Sequence, residues 1–282
     1  GTSSRGGGTL ELLSPKAAPA EALSLRWTLP VATGQQISSP IIGGGRTYLA
    51  STNGTLYCLD PNSGSAFWTF ETSATMTATP LFHKGRLYVA SQDGTLYVLH
   101  AATGELLFTI FHGTAIKGSP LLATDVPIGT ETADLLILSF GAPAAELRAY
   151  NAITGDYLWS GAAGFRQLSN STPVYHAEYN RIIVGDSAGF WHCYDASTGT
   201  PLWEYRTGSL VAYTSAACEG EYVVLPSAGS NERNVHVLKQ TTTPPYYEFH
   251  QSVLATPPAS ATEGLVNKVG ATAEGTPDIK QP

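Results

Sequence analysis

The sequence predicts an all-β fold, and three observations lead to that prediction. Strand-length runs of alternating apolar and polar residues recur at the spacing typical of β proteins, and no stretch has the period of an amphipathic helix. Turn-forming pairs such as Asn53-Gly54 and Asp93-Gly94 separate these runs. The pattern repeats after about forty residues. Because a propeller blade has four strands in about that length, we expect a β-propeller of four-stranded antiparallel blades.

Five copies of the repeat can be aligned. They run Ser38–Phe70, Thr77–Ile110, Gly118–Ser160, Ser171–Tyr205 and Thr214–Phe249. The first two align without gaps, and the third carries an insertion at Thr124–Asp134 that we expect to lengthen a loop. The fifth copy is weaker, because its turn glycine is lost and Tyr247 stands where the other copies have an aromatic after the turn.

An orphan strand precedes the first copy. In Leu25–Pro30, Trp27 lies 13 residues before Pro40, close to the 12 residues that separate Trp68 from Pro80. A propeller loses its free sheet edges when the first strand of the chain completes the last blade, so we expect the strand around Trp27 to close the ring. The segments 252–258 and 270–280 echo the repeat weakly and would supply the rest of a sixth, degenerate blade. A five-bladed ring and a truncated larger ring stay open as alternatives.

The domain organisation follows from this count. Residues 1–23 are rich in Gly, Pro and Ala and read as a flexible leader. Residues 24–282 form a single propeller domain, in which 259–282 are the degenerate blade or a tail. The three cysteines, Cys58, Cys193 and Cys218, form no CxxC pair, so we expect buried thiols and neither a disulfide framework nor a zinc site.

Composition limits the partners. Charged residues make up 13% of the 282 positions, and the net charge of −7 is spread along the chain. No Lys/Arg run could follow a phosphate backbone, and no apolar window is long enough to span a membrane, so neither nucleic acid nor a membrane-spanning segment is expected. Low charge with plentiful Gly, Ser and Thr is common in secreted proteins. We therefore expect an extracytoplasmic location (periplasmic, secreted or cell surface) and not a cytoplasmic one.

The most specific motif is the turn before the fourth strand. An Asp or Asn is followed by Thr-Gly or Ser-Gly, and an aromatic residue comes four positions after the glycine. The acid or amide can cap the turn, the glycine allows positive φ, and the aromatic is placed to pack on the neighbouring blade. The motif residues are Trp27, Asp60, Gly64, Trp68, Gly104, Phe108, Asn151, Gly155, Trp159, Asp195, Gly199 and Trp203.

This motif resembles the tryptophan-docking motif of the PQQ-type quinoprotein propellers. The resemblance covers about residues 24–258 and is closest in character to non-enzymatic, BamB-like propellers. The family's dehydrogenases carry an adjacent cysteine pair over the cofactor and use eight blades; this sequence has no such pair and is too short for eight. The resemblance implies a fold and not one function, because the repeat builds rings that host unrelated sites.

The sequence favours a binding protein over an enzyme. Its histidines show no HExxH spacing and its serines no GxSxG turn, so we expect no catalytic residue, no metal and no cofactor. The expected function is a scaffold that binds other proteins in the assembly or stabilisation of a larger complex. A small-ligand-binding or sensory domain is the first alternative, and the remnant of a PQQ-dependent dehydrogenase is the second.

Two groups of residues are candidates for partner binding, because propellers bind where loops converge. The first precedes the opening of each blade, at the expected channel mouth: Gln36, Thr77, Lys117, Ser169 and Tyr213. The second lies in the insertion of the third copy: Thr124, Asp125, Glu131 and Asp134. The alternative for both groups is that they are variable loops without a ligand.

Overall fold

A computed structural model describes residues 25–30, 34–140, 146–161, 171–207, 214–227 and 234–254. Of residues 251–254 it describes the backbone only. Within these ranges the chain forms five four-stranded antiparallel sheets, each from four consecutive strands. One short 3-10 turn, Ala177–Tyr179, interrupts them. The prediction of an all-β propeller with four-stranded blades is therefore confirmed. No helix in the described part of the chain has the length and apolar character to cross a membrane.

The blades are numbered along the chain, and each runs from its inner to its outer strand. Blade 1 contains β1 (Ile41–Gly43), β2 (Arg46–Ala50), β3 (Thr55–Leu59) and β4 (Ala66–Glu71). Blade 2 contains β5 (Leu81–His83), β6 (Arg86–Ala90), β7 (Thr95–His100) and β8 (Leu106–Phe111). Blade 3 contains β9 (Leu121–Ile128), β10 (Glu131–Phe140), β11 (Glu146–Asn151) and β12 (Tyr157–Gly161).

The last two described blades follow the same order. Blade 4 contains β13 (Val174–His176), β14 (Arg181–Gly185), β15 (Phe190–Asp195) and β16 (Pro201–Arg206). Blade 5 contains β17 (Ala217–Glu219), β18 (Tyr222–Pro226), β19 (Asn234–Gln240) and β20 (Tyr247–Leu254). Inner strands of neighbouring blades touch, as β1 does β5 and β13 does β17.

The core lies between the blades. Both faces of a sheet are apolar: in β2, Tyr48 and Ala50 pack toward blade 2, where Leu87 and Val89 meet them in one cluster. Equivalent clusters fill the spaces between blades 2 and 3, 3 and 4, and 4 and 5. Each blade is thus held by burial of apolar surface against its neighbours, as in other repeat structures.

A bulge in the outer strand of blades 1 to 4 sets the position of the aromatic residue of that strand. In blade 1 the register shifts between Cys58 and Leu59, directly beside the pairing of Cys58 with Trp68. The same shift follows the pairings of Phe108, Trp159 and Trp203 in blades 2 to 4. Because a bulge bends the strand and increases its twist, it turns this aromatic toward the next blade.

The insertion in the third copy is not a loop. It extends β9 and β10 into a longer hairpin that turns at Gly129 and Thr130. Val126, Ile128 and Ala133 pack in the cluster between blades 3 and 4, whereas Asp125 and Pro127 are exposed, so the paired strands have one apolar face. Asp125 adopts a φ of 56°, and a register shift between Ala133 and Leu135 accommodates the extra length.

Blade 5 corrects two predictions. Tyr247 does not take the tryptophan's place: it pairs with Gln240, and Gln251 lies opposite Val237 where Trp68 would lie opposite Cys58. Ser252 does not open a sixth blade, because it pairs with His236 inside β20. Both errors follow from the irregular turn before β20, which shifts the outer strand toward the C-terminus. Leu25–Pro30 forms no strand among the described residues, and the expected sixth blade at 259–282 lies outside them.

Candidate functional site

Four of the five docking aromatics lie on the turn glycine of the blade that follows them in the chain. A Cβ at Gly199 would lie 2.4 Å from the ring of Trp159, and Gly199 has a φ of 71°, so only glycine suits this position. The same contact recurs in the other described turns: Trp27 with Gly64, Trp68 with Gly104, and Phe108 with Gly155. Trp27 therefore occupies, against blade 1, the place that an outer-strand aromatic occupies against every following blade up to blade 4.

The Asp and Asn side chains of the motif accept hydrogen bonds from backbone N–H groups of their own turns. Asp60 accepts the backbone N–H of Asn62 at 2.8 Å, and this bond holds the pKa of its carboxyl below the ordinary value. Asn151 accepts N–H groups from Ile153 and Thr154. Asp195 accepts those of Ser197 and Thr198, both at 3.0 Å. These side chains close the turns that receive the docking rings.

One carbonyl in each of these turns also receives a donor from the preceding blade or, in blade 1, from Trp27. The donors and acceptors are Trp27 Nε1 to Pro61 O (2.9 Å), Tyr48 Oη to Ala101 O (3.0 Å), Tyr88 Oη to Ala152 O (2.6 Å) and Trp159 Nε1 to Ala196 O (3.0 Å). The two tyrosines were not among the residues predicted from the sequence. The feature that could have identified them is their equivalent position in the second strand of the first two copies. Burial raises the pKa of both phenols to about 12, so they stay protonated donors.

The junction of blades 4 and 5 is built differently. Trp203 meets the ring of Tyr247 at a centroid distance of 5.4 Å, and its indole nitrogen has no hydrogen-bond partner among the described residues. Arg181, from β14, reaches across instead. Its guanidinium donates to the Tyr246 carbonyl at 2.9 Å, to the Thr241 carbonyl and to the side chain of Gln240. Burial lowers the pKa of this guanidinium.

A cavity of about 560 Å³ opens beside this junction. The rings of Tyr179 and Tyr246 both lie near Arg181, with their centroids 5.1 and 5.4 Å from its guanidinium carbon. The remaining lining residues are Glu178, Asn180, Asp195, Leu202 and Thr242. No group of three or more His, Cys, Asp or Glu within the described ranges is placed to hold a metal ion.

The predicted channel-mouth residues lie on the connections that lead from one blade's outer strand to the next blade's inner strand. Gln36, Thr77 and Lys117 are exposed there, beside the hairpins that join second and third strands; the side chain of Gln92, in one such hairpin, donates to Thr77. Ser169 and Tyr213 lie outside the described residues. Ile37, which is exposed, stands three residues before its proline, as Thr77 and Lys117 do. The structural counterpart of these two residues is therefore Ile37 and not Gln36.

The four insertion residues do not form one surface. Thr124, Asp125 and Glu131 are exposed, whereas the side chain of Asp134 is only 9% exposed. It accepts bonds from Lys84 at 2.7 Å and His83 at 2.8 Å, both on blade 2. Burial alone would raise the pKa of Asp134, but these bonds hold it below the ordinary value. Asp134 therefore joins blades 2 and 3 and has little surface to offer a partner.

Comparison with known proteins agrees with this architecture. The family model described as outer membrane protein assembly factor BamB matches residues 20–174 and 143–242. The fold is similar to that of BamB from Moraxella catarrhalis, with a TM-score of 0.59 and 20% identity over 76% of this chain and 62% of that chain. No curated protein matches the sequence.

Two further solved structures are similar in fold. A chain of the mitotic checkpoint complex gives a TM-score of 0.62 at 14% identity, over 79% of this chain and 66% of that chain. The quinohemoprotein alcohol dehydrogenase from Pseudomonas putida gives 0.54 at 15% identity, over 78% of this chain and 42% of that one. The chain spans less than two thirds of the length of all three structures. At these identities the likeness is one of fold.

Proposed function

The chain belongs to the propeller family described as outer membrane protein assembly factor BamB, and from this membership we propose that it is a non-catalytic scaffold that binds other proteins. In this role it assembles or stabilises a larger complex outside the cytoplasm. The observation that carries the proposal is the family match over residues 20–242. Proteins of this fold present several independent surfaces on a rigid ring-like body, which suits a scaffold.

The use of the polar side chains supports the same proposal. Two partly buried acids are occupied in contacts within the fold: Asp134 binds Lys84 and His83, and Glu146 binds His112 at 2.8 Å and Arg148 at 2.7 Å. The described blades also expose apolar side chains on outer strands, and the connections between blades expose polar residues. Exposed apolar surface with a polar surround is typical of protein-binding sites.

Native size and crosslinking test the proposal on the protein isolated from its source. We expect an assembly larger than one chain, with amine crosslinks to another protein at the exposed Lys117. Lys117→Arg keeps the charge but removes the reactive amine, so it should abolish those crosslinks without changing the size of the assembly. A monomer without crosslinks, at the concentration found in the source, would contradict a scaffold role.

A second candidate, a small-ligand-binding or sensory domain, is favoured by the cavity at Arg181. The cavity has the volume of a small-ligand site and combines two tyrosine rings with the carboxylates of Glu178 and Asp195. A screen of small aromatic and cationic compounds by thermal shift tests this candidate. A compound that raises the melting temperature of the wild type but not of Tyr246→Ala would support it; no such compound would leave the scaffold as the better account.

A further inference from the structure

Strand β8 differs from the other outer strands. It is the terminal strand of its sheet, so one side of its backbone is not paired within the blade. It exposes three large apolar side chains, Leu106 (50%), Leu107 (44%) and Phe111 (72%). Among the side chains that the structure describes, which exclude the last four of β20, the other outer strands expose at most one each: Phe67 in β4, Tyr157 in β12 and Phe249 in β20. Blade 2 therefore has the most apolar outer edge of the five.

The other edges carry features that oppose strand addition. β16 begins at Pro201 and exposes Glu204 and Arg206. β4 ends in the exposed Glu71, and β20 exposes Glu248. Charges and proline on an edge strand prevent pairing with another chain, and natural sheets use them for this purpose. β12 lacks a charge but is short and ends in Ser160 and Gly161.

β8 has none of these features. Its six residues, Leu106–Phe111, contain no charge, proline or glycine, and they are aliphatic, aromatic or β-branched. Phe108 and Ile110 pack against blade 3, while Leu107, Thr109 and Phe111 lie on the opposite face and are exposed. A strand added to this edge would gain backbone hydrogen bonds and would bury Leu107 and Phe111, which is how extended peptides bind other sheets.

The charges around β8 indicate the chemistry of such a strand. Glu105 is exposed immediately before β8, and Asp156 follows Gly155, on which the ring of Phe108 lies. At the other end, Asp93 stands two residues before Thr95, the partner of Phe111. The nearby cation, Arg86, lies over the Phe108 ring at 5.8 Å. Acidic groups thus stand at both ends of the apolar strand.

We propose that β8 is a strand-addition site for an extended segment of a partner protein that is apolar in its centre and basic at its ends. The proposal rests on the proposed scaffold function and deepens it, since it names the surface and the kind of segment that surface takes. Apolar side chains of the segment cover Leu107 and Phe111, and its terminal Lys or Arg residues meet Glu105 and Asp93.

Synthetic peptides test the site directly. The probe is a labelled peptide of about ten residues that alternates Val and Thr between Lys pairs, and its control has Glu in place of Lys. We expect the Lys-flanked peptide to bind, measured by fluorescence anisotropy, and the Glu-flanked peptide to bind at least about tenfold more weakly. Amide hydrogen exchange should show new protection in β8 and in no other outer strand.

Two variants localise the binding. Phe111→Lys should lower the affinity for the Lys-flanked peptide by about tenfold or more, because the substitution removes an apolar contact and adds a charge of the same sign as the peptide's. Phe67→Lys changes a side chain of similar exposure on β4 and should leave binding unchanged. Phe111→Lys should keep the wild-type melting temperature, which excludes misfolding as the cause, whereas Phe67→Lys also removes a ring that Arg46 covers at 4.2 Å and should melt slightly lower.

The contrary results are distinct. Equal loss in both variants, equal binding of the two peptides, or protection outside β8 would overturn the strand-addition site. Self-association of the chain that Phe111→Lys abolishes would assign the edge to a second copy instead, and would also overturn it. If the native assembly persists in Phe111→Lys and no peptide binds, the β8 proposal fails while the scaffold function stands; a native monomer would remove both.

Discussion

The junction of blades 3 and 4 and the junction of blades 4 and 5 solve the same packing problem in two ways. At the first, Trp159 lies on Gly199 and donates its indole N–H to Ala196 O at 3.0 Å. At the second, no turn glycine receives Trp203, which packs on Tyr247, and Arg181 supplies the donors to the turn. At the first junction an indole ring packs against a glycine, and at the second a buried guanidinium donates hydrogen bonds to carbonyl groups.

The difference shows which part of the repeat is interchangeable. Both junctions keep a large aromatic from the outer strand of blade 3 or 4, so burial of that ring is common to them. What changes is the side chain that donates hydrogen bonds to the carbonyl groups in the turn of the next blade. A guanidinium can serve three acceptors at once, but it must be desolvated to do so, whereas an indole on glycine buries no charge. We therefore expect the two junctions to respond differently to substitution.

The largest effect is expected at Gly199. Gly199→Ala adds a Cβ where the ring of Trp159 stands 2.4 Å away, in a residue with φ of 71°. Strain and displacement of the ring together should lower the free energy of unfolding by about 3 kcal/mol. Denaturant unfolding measures the loss. Gly220→Ala is the matched control: its φ of 53° carries the strain, but nothing lies within 4 Å, so about 1 kcal/mol is expected. Equal losses would mean that the ring contact contributes nothing.

The second effect is expected at Arg181. Arg181→Met removes the donors to Tyr246 O, Thr241 O and Gln240. We expect the free energy of unfolding to fall by about 2 kcal/mol and not more, because water from the adjacent cavity can bind some of the acceptors that Arg181 leaves without a donor. Hydrogen exchange should increase in blade 5 and not in blade 1. Arg206→Met, an exposed arginine of blade 4, should change stability by less than about 0.5 kcal/mol. A loss spread evenly over all blades would contradict a local role.

Sequence reasoning captured the first type of junction and not the second. The turn motif repeats in four copies, and each of its residues has a local physical role, so spacing alone located Gly199 and Trp159. Arg181 opens a strand like Arg46 and Arg86, and nothing in its neighbours shows that it crosses to another blade. Its partners lie at the end of β19 and in the irregular turn before β20. The shift of Tyr247 and the extended hairpin of blade 3 were missed for the same reason, since register depends on tertiary pairing.

A smaller effect separates two tyrosines at the junctions of the first type. Tyr88→Phe should lower stability by about 1 kcal/mol, because Ala152 O loses its donor and Phe108 has no N–H to replace it. Tyr48→Phe should lose less. There Trp68 lies on the next turn, and its indole nitrogen, which has no partner among the described residues, can take over Ala101 O. Chemical denaturation of both variants measures which one loses more stability. A larger loss in Tyr48→Phe would show that Trp68 does not replace Tyr48 as the donor to Ala101 O.

The smallest effect concerns the extra contact between blades 2 and 3. The pKa of Asp134 is lower in the folded chain than its ordinary value of 3.8, so the ionised carboxylate stabilises the fold above that pH, and the stabilisation is lost as pH falls through the folded pKa. Asp134→Asn should therefore lower stability at pH 7 by about 0.5 kcal/mol and should flatten the fall in stability below about pH 4. Unfolding measured from pH 7 to pH 2 tests both parts. Glu131→Gln, an exposed acid on the same hairpin, should keep the wild-type profile. If the Asp134→Asn profile keeps its acid slope, the carboxylate does not bind blade 2 through its charge, and the junction of blades 2 and 3 depends on its other contacts, such as those of Phe108 and Tyr88.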